Sequence, residues 1–371
     1  MMNGLLPEGL RDRLPPEAEA AAAILRAVID AIAAHGYGRV SPPLAEFEEE
    51  LAGRLKSARS KDLLRVIDPV SQRTLALRPD ITAQIGRIAT TRMTGAPRPL
   101  RLCYGGPVLK LRATQLRPER ELIQAGAELV GSESVSAAME VIEIAIEALE
   151  AAGVTGITLD LTLPDLVETL AAGPWPLETG KADAVNAALD AKDAGALRAA
   201  GGETYLPLIA AAGPLDHAIA ALRTLGLGEV LESRLDALEA IAKTLGDRVR
   251  ITLDPTERHG FEYQSWIGFS LFGDELTGEA GRGGSYTILH ADGLEEPAIG
   301  FSLYLDPLVD AGLMQGTARR VFIPLGTAPE AAAKLRAEGW ITVAAISEGC
   351  DAVFLGCTHA LKDGAPVSLS G

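Results

Sequence analysis

The sequence predicts an α+β fold: an antiparallel sheet flanked by helices, with a mainly helical insertion over about residues 164–247 and a small carboxy-terminal α/β unit over 319–371. Three observations predict it. Short strand-like segments joined by tight turns recur on both sides of the insertion; capped helices lie beside them; and Pro164 to about Asp247 is an Ala/Leu-rich block with few β-branched residues. At 371 residues, 47% of them apolar, the chain can bury its own core without disulfides or metals. Residues 1–315 form the main body and the stretch around Leu313 to Thr317 the natural boundary.

Pro7 to Pro16 reads as a proline-bounded arm. Ala18 to Ala34 is rich in strong helix formers, and Ile24, Val28 and Ile32 recur every four residues, a buried stripe that stops at His35 and Gly36. Gly38 to Leu44 is a short strand ended by prolines. Strands are expected at Leu63 to Pro69, Thr74 to Arg78, Arg98 to Gly106, Val108 to Leu111 and Glu121 to Val130, with a helix from about Ile81 to Thr91. Ser134 to Ala152 is a helix capped by Ser134 or Ser136 and ended by Gly153, and Thr155 to Leu163 alternates as a strand. After the insertion come strands at Val249 to Asp254, Phe261 to Phe272, from Gly281, and at Ala298 to Leu305. The tail then reads strand (RVFIPL), helix (PEAAAKLRAEG), strand (ITVAAI) and strand (AVFLG). No repeats or low-complexity segments stand out.

Composition narrows the function classes. The 34 Lys and Arg against 50 Asp and Glu give a net charge of −16, a surface that repels phosphate backbones and disfavours nucleic acid as a ligand. No basic start precedes an apolar run, and no uncharged apolar stretch reaches the roughly 18 residues of a membrane span, so a cytoplasmic protein without a membrane partner is expected. Cys103, Cys350 and Cys357 lack partners at zinc-site spacing and read as buried free thiols; no metal or cofactor is expected.

Four stretches in one order carry a family resemblance. Leu6 to Pro16 (LPEGLRDRLPP) with the following helix and Gly36 to Leu44 is similar to the amino-terminal arm and motif 1 of class II histidyl-tRNA synthetases and their paralogues. Leu77 to Ala83 (LRPDITA) resembles their LRPEGTA loop, and Arg101 to Gly131 resembles motif 2 in its GGPV and ELIQAGAE segments. Gly260 to Tyr263 (GFEY) is similar to the histidine-binding GLDY, and with Gly283 to Tyr286 and the motif 3-like Gly300 to Leu305 it completes the set. The resemblance covers about residues 6 to 310 and implies the class II synthetase-like core, an antiparallel sheet flanked by helices.

The departures fall where such synthetases handle ATP. Planar arginines in motifs 2 and 3 neutralise charge on the phosphates during adenylate formation. Lys110 stands at the motif 2 place and Pro307 at the motif 3 place; lysine keeps the charge but not the fork, and proline keeps neither. Arg112 replaces a motif 2 glutamate, Ala113 the next arginine, His259 the histidine-specific arginine and Gln264 the second tyrosine of a pair. Lys110, Arg112 and Pro307 are read as a degenerate ATP site, and no catalytic residue is expected.

The amino-acid pocket is better kept. By resemblance Asp80 and Thr82 match residues that grip the α-amino end, Gln124 and Glu128 a polar pair deeper in, and Glu262 with Tyr263 the acid and phenol beside the imidazole. Arg78 and Arg258 are both candidates for the ligand's carboxylate. The tail carries no basic stripe and is shorter than the anticodon-binding domain of a histidyl-tRNA synthetase.

This pattern is similar to that of the regulatory subunits of ATP phosphoribosyltransferase, a glycosyltransferase. The resemblance implies a non-enzymatic, allosteric role in histidine biosynthesis, a short-form catalytic subunit as partner, a homodimer within a hetero-oligomer, and histidine as effector. The other class is an active one: a divergent histidyl-tRNA synthetase or an ATP-dependent amino-acid ligase, in which Lys110, Arg112, Arg87 or Arg282 replace the missing donors.

Overall fold

The computed structural model describes residues 5–52, 63–112, 118–258, 264–316 and 319–369, which divide into two compact units, Met1–Met314 and Gln315–Gly371. In the first, helix α1 (Glu17–Ala34) buries the expected Ile24, Val28 and Ile32 and ends where Gly36, at φ +83°, turns back to hydrogen-bond Ala33 O. Strand β1 (Gly38–Arg39) follows and is shorter than expected. A three-stranded antiparallel sheet comes next, from β2 (Ala45–Phe47), β3 (Leu64–Ile67) and β4 (Thr74–Leu77) in the order β2-β4-β3, with helix α2 (Glu48–Ala52) between β2 and β3 and α3 (Thr82–Thr91) after it.

The main sheet adds β5 (Leu100–Leu109), β6 (Glu121–Val130), β7 (Thr158–Thr162), β8 (Gly213–Pro214), β9 (Arg250–Asp254), β10 (Gln264–Phe272), β11 (Gly281–Leu289) and β12 (Glu295–Tyr304). Its order is β1-β5-β6-β12-β11-β10-β7-β9-β8. The sheet is mixed and not purely antiparallel, because β1 runs parallel to β5 and β7 parallel to β9. Both pairs are joined by long crossovers, and the second crossover is the insertion itself, so the chain has room to return in the same direction.

The two segments expected at Arg98 to Gly106 and Val108 to Leu111 are one strand, β5. Leu109 N–H points away from β6, to Arg78 O at 2.9 Å, and Pro107, two residues earlier, has the same orientation. Its missing N–H therefore faces the side where no ladder bond is needed.

Helix α4 (Val135–Ala151) packs with α1 on one face of this sheet, and Ala125, Ala127 and Leu129 of β6 point into that core. Its N-cap is Ser134, whose hydroxyl accepts from Ala137 N, which decides between the two expected serines. Because strand side chains alternate, Gln124 and Glu128 face the other way, toward α3 and a second cluster that includes Ile81, Ile85, Tyr104 and Tyr286. The insertion supplies helices α5 (Leu166–Ala171), α6 (Ala182–Asp190), α7 (Ala194–Ala199), α8 (Leu206–Ala210), α9 (Leu215–Thr224) and α10 (Glu229–Leu245), whose leucines join the first core. Helix α11 (Asp306–Asp310) closes the unit after β12.

The second unit is a four-stranded sheet of β13 (Arg320–Ile323), β14 (Ile341–Ala344), β15 (His359–Lys362) and β16 (Ala365–Ser368), with helix α12 (Pro329–Ala337) after β13. The strand expected at Ala352 to Gly356 is a turn. Asp351 accepts from Val353 N at 2.7 Å and Phe354 N at 3.1 Å, and Phe354 is 90% exposed. Cys103 and Cys357 are buried as expected, but Cys350 lies half-buried in the polar segment before this turn.

Candidate functional site

A cleft of about 310 Å³, counting the part open to solvent, lies on the sheet face opposite α1 and α4. Asp80 and Thr82 enter it from the start of α3, Glu128 from β6, Arg282 and Tyr286 from β11, and Ser302 and Tyr304 from β12. Four of the expected residues meet in or behind this wall. Gln124, with no exposed surface, accepts from Ile81 N at 2.9 Å and donates to Asp80 at 2.7 Å and Ser302 at 2.6 Å. Asp80 also accepts from Thr82 N at 2.7 Å, which sets the first turn of α3. A carboxamide that both holds a backbone N–H and steers a carboxylate fixes this end of the cleft.

Glu128 lies deeper. Tyr104 donates to it at 3.0 Å and Tyr286 at 2.8 Å, and Tyr104 is itself hydrogen-bonded with Ser302 at 3.0 Å and Thr82 at 3.2 Å. Burial, with the nearby Asp80 charge adding to it, pushes the Glu128 carboxyl up to about 8 against the pull of hydrogen bonds from Tyr286, Thr82 and Tyr104. At neutral pH Glu128 therefore favours its protonated form, and a cation placed beside it favours the ionised one. Space is set by the backbone: a Cβ on Gly300 would lie 1.7 Å from Glu128 Oε2 and 2.6 Å from Ala127 O.

Tyr104, Tyr286, Arg282 and Ser302 were not singled out from sequence for this wall. Tyr104 is on the same face of the sheet as Glu128, and a buried tyrosine requires a partner for its hydroxyl, so the alternation of β5 and β6 held the signal. Glu262 and Tyr263, with His259, lie outside the described residues. The two arginine candidates for a carboxylate are engaged elsewhere. Arg78 is 5% exposed and donates to Pro107 O at 2.8 Å, Pro42 O at 3.0 Å and Gln84 at 3.3 Å; Arg258 is ion-paired with Glu168. Arg282, in the cleft lining, binds Glu279 at 2.6 Å, and Arg87 binds Glu46 at 2.8 Å.

Tyr304 is shared with a second, larger cleft of about 920 Å³, again counting the part open to solvent, where Pro307 sits among Glu119, Glu275, Asp306 and Asp310. The Lys110 ammonium lies 5.3 Å from the centre of the Tyr304 ring, and Arg112 is exposed. Asp306 and Asp310 are paired with Arg13 and Arg11, so it is Glu119 and Glu275 that add negative charge against a polyphosphate here.

The chain is similar to known proteins over nearly its whole length. The family model described as histidyl-tRNA synthetase matches residues 9–308. A protein of Rhodospirillum centenum named ATP phosphoribosyltransferase regulatory subunit is 43% identical over 365 residues, 96% of this chain and 94% of that protein. One of Paramagnetospirillum magneticum with the same name is 42% identical over 96% of both. Among solved structures, an ATP phosphoribosyltransferase regulatory subunit/histidyl-tRNA synthetase from Bacillus halodurans superposes with a TM-score of 0.80 at 25% identity, covering 96% of each chain. Histidyl-tRNA synthetase from Nostoc superposes at 0.77 with 18% identity over 98% of this chain and 92% of that one, a likeness of fold that takes in most of the synthetase chain as well.

Proposed function

The chain belongs to the family of ATP phosphoribosyltransferase regulatory subunits, with the fold of histidyl-tRNA synthetases, and from that premise we propose that it is a non-catalytic subunit whose inherited amino-acid pocket binds histidine as an effector. Its partner is a short-form ATP phosphoribosyltransferase catalytic subunit, and together they carry out and regulate the first step of histidine biosynthesis in the cytoplasm. Asp80 and Glu128 receive the ammonium and Gln124 and Thr82 hold them in place, while the family resemblance alone assigns Glu262 and Tyr263, outside the described residues, to the imidazole. Histidine then shifts the hetero-oligomer toward its inhibited state, a coupling of about 1–3 kcal/mol in typical allosteric systems.

The observation that carries this reading is the contrast between the two clefts that share Tyr304. One keeps a carboxyl and carboxamide set suited to an amino acid; the other presents Glu119, Glu275, Asp306 and Asp310 around Pro307. With Asp306 and Asp310 paired to Arg13 and Arg11, Glu119 and Glu275 still place like charge beside a triphosphate, so the second cleft disfavours ATP even with Lys110 nearby. Adenylation lacks its electrostatic support there, while amino-acid binding does not depend on it.

Mixing tests the proposal. The chain, sedimenting alone as a dimer of 38.8 kDa protomers, should form a larger complex with a short-form catalytic subunit, raise phosphoribosyl transfer, and make that transfer sensitive to histidine. Histidine-stimulated ATP–pyrophosphate exchange by the chain alone, with no effect on the catalytic subunit, would overturn it in favour of an active ligase.

A further inference from the structure

The arm before α1 is tied to the pocket wall through one buried aspartate. Pairing of β12 with β6 ends at Tyr304 opposite Gln124, and Leu305 N then reaches Ile123 O at 2.9 Å. Asp306, 3% exposed at the start of α11, continues the ladder with its side chain: Oδ2 accepts from Ile123 N at 2.8 Å. Its other oxygen accepts from Arg13 Nη2 at 2.6 Å. Ile123 precedes Gln124, whose carboxamide holds Ile81 N, Asp80 and Ser302. The path from arm to pocket therefore crosses one ion pair, one hydrogen bond from a backbone N–H to the Asp306 carboxylate, and one peptide unit.

The arm depends on these contacts. Arg13 Nη1 is buried without a hydrogen-bond partner among the described residues, so Asp306 is the charge that offsets burial of the guanidinium. Arg11 pairs with Asp310 at 2.7 Å on a more exposed surface. At the other end Gly9 O accepts from Arg120 N at 2.8 Å. Gly9 has φ +76°, and a Cβ there would lie 2.7 Å from Arg120 Cγ, so the arm is seated closely against the residue that leads into β6, the strand bearing Gln124.

We infer that Arg13 and Asp306 are a positioning pair for the pocket, through which docking of the arm and binding of histidine strengthen each other. The inference rests on the assignment of the pocket to histidine. If the docked arm tightens the ligand, the ligand must hold the arm down by the same factor, because the coupling between two equilibria is reciprocal.

Titration calorimetry of the full chain with L-histidine, for wild type, Arg13→Ala, Arg13→Lys and Asp306→Asn, measures one side of the coupling. Trypsin cleavage after Arg11, with and without L-histidine, measures the other, because cleavage follows the undocked population. Arg13→Ala should weaken Kd about 5- to 20-fold, within the usual range for allosteric coupling, and histidine should slow arm cleavage in wild type by a similar factor. Arg13→Lys should recover part of the loss, and Asp306→Asn, which keeps an acceptor for Ile123, should change Kd in the same direction as Arg13→Ala. Unchanged Kd in Arg13→Ala, or cleavage indifferent to histidine, overturns the coupling and leaves the pocket assignment standing. Failure of wild type to bind histidine overturns both.

Discussion

Glu128 is where pocket chemistry and folding energetics meet. Its carboxyl is pushed from 4.5 up to about 8, chiefly by burial. A carboxyl raised in this way binds more protons folded than unfolded, so its contribution to stability is complete below about pH 4.5 and is lost as pH rises toward 8, on the order of a few kcal/mol in all. Without ligand, wild type should therefore lose stability over that window, and Glu128→Gln should flatten the loss; urea unfolding at pH 5, 6.5 and 8 checks this. An ammonium prefers the ionised form, so histidine should bind wild type more tightly as pH approaches 8, with proton release, and bind Glu128→Gln weakly at every pH. A pH-independent wild-type affinity would mean that Glu128 does not face the ammonium. At this scale the sequence showed which residue types collect at the site, because Asp80, Gln124 and Glu128 fall on inherited positions. It did not show the phenols, whose contacts join residues 104, 128 and 286 across three strands.

The elements that were legible owe their form to short-range physics. Helix α4 announces itself by a serine cap, an apolar face and a terminal glycine, and the structure assigns the cap to Ser134. Ser134→Ala should cost about 1 kcal/mol of unfolding free energy in a urea titration, whereas Ser136→Ala should cost little, since Ser136 is exposed and lies inside the helix. Equal effects would move the cap. What was not legible depends on distant partners. The parallel pairing of β7 with β9 is fixed by where the insertion returns the chain, and the continuity of β5 through Pro107 by which side of the strand meets β6. The apolar run Ala352 to Gly356 reads as a strand by composition, yet Asp351 takes its first amides into a turn and leaves Phe354 exposed.

For the whole molecule the decisive quantity is charge. After Met314 the chain carries five Lys or Arg and five Asp or Glu, so the whole excess of −16 resides in residues 1–314, the part that resembles a synthetase core. That excess does not prevent a family member from keeping the fold, since backbone pairing and apolar burial set the sheet, and net charge bears on partners and not on architecture. It does bear on tRNA. Non-specific nucleic-acid affinity comes from cations that release counterions from phosphates, and here the cleft beside the pocket presents four carboxyl groups, with Arg11 and Arg13 already paired to two of them. In a mobility-shift titration at about 50 mM salt, where electrostatic binding is strongest, ten-micromolar protein should leave tRNA unshifted. A shift that weakens with salt would reveal a basic surface, and its slope, about −0.7 per phosphate contact if the contacted strand is single, would count the cations involved. That result would restore the active-synthetase reading, because a surface able to hold tRNA has no evident use in a subunit that only senses an amino acid.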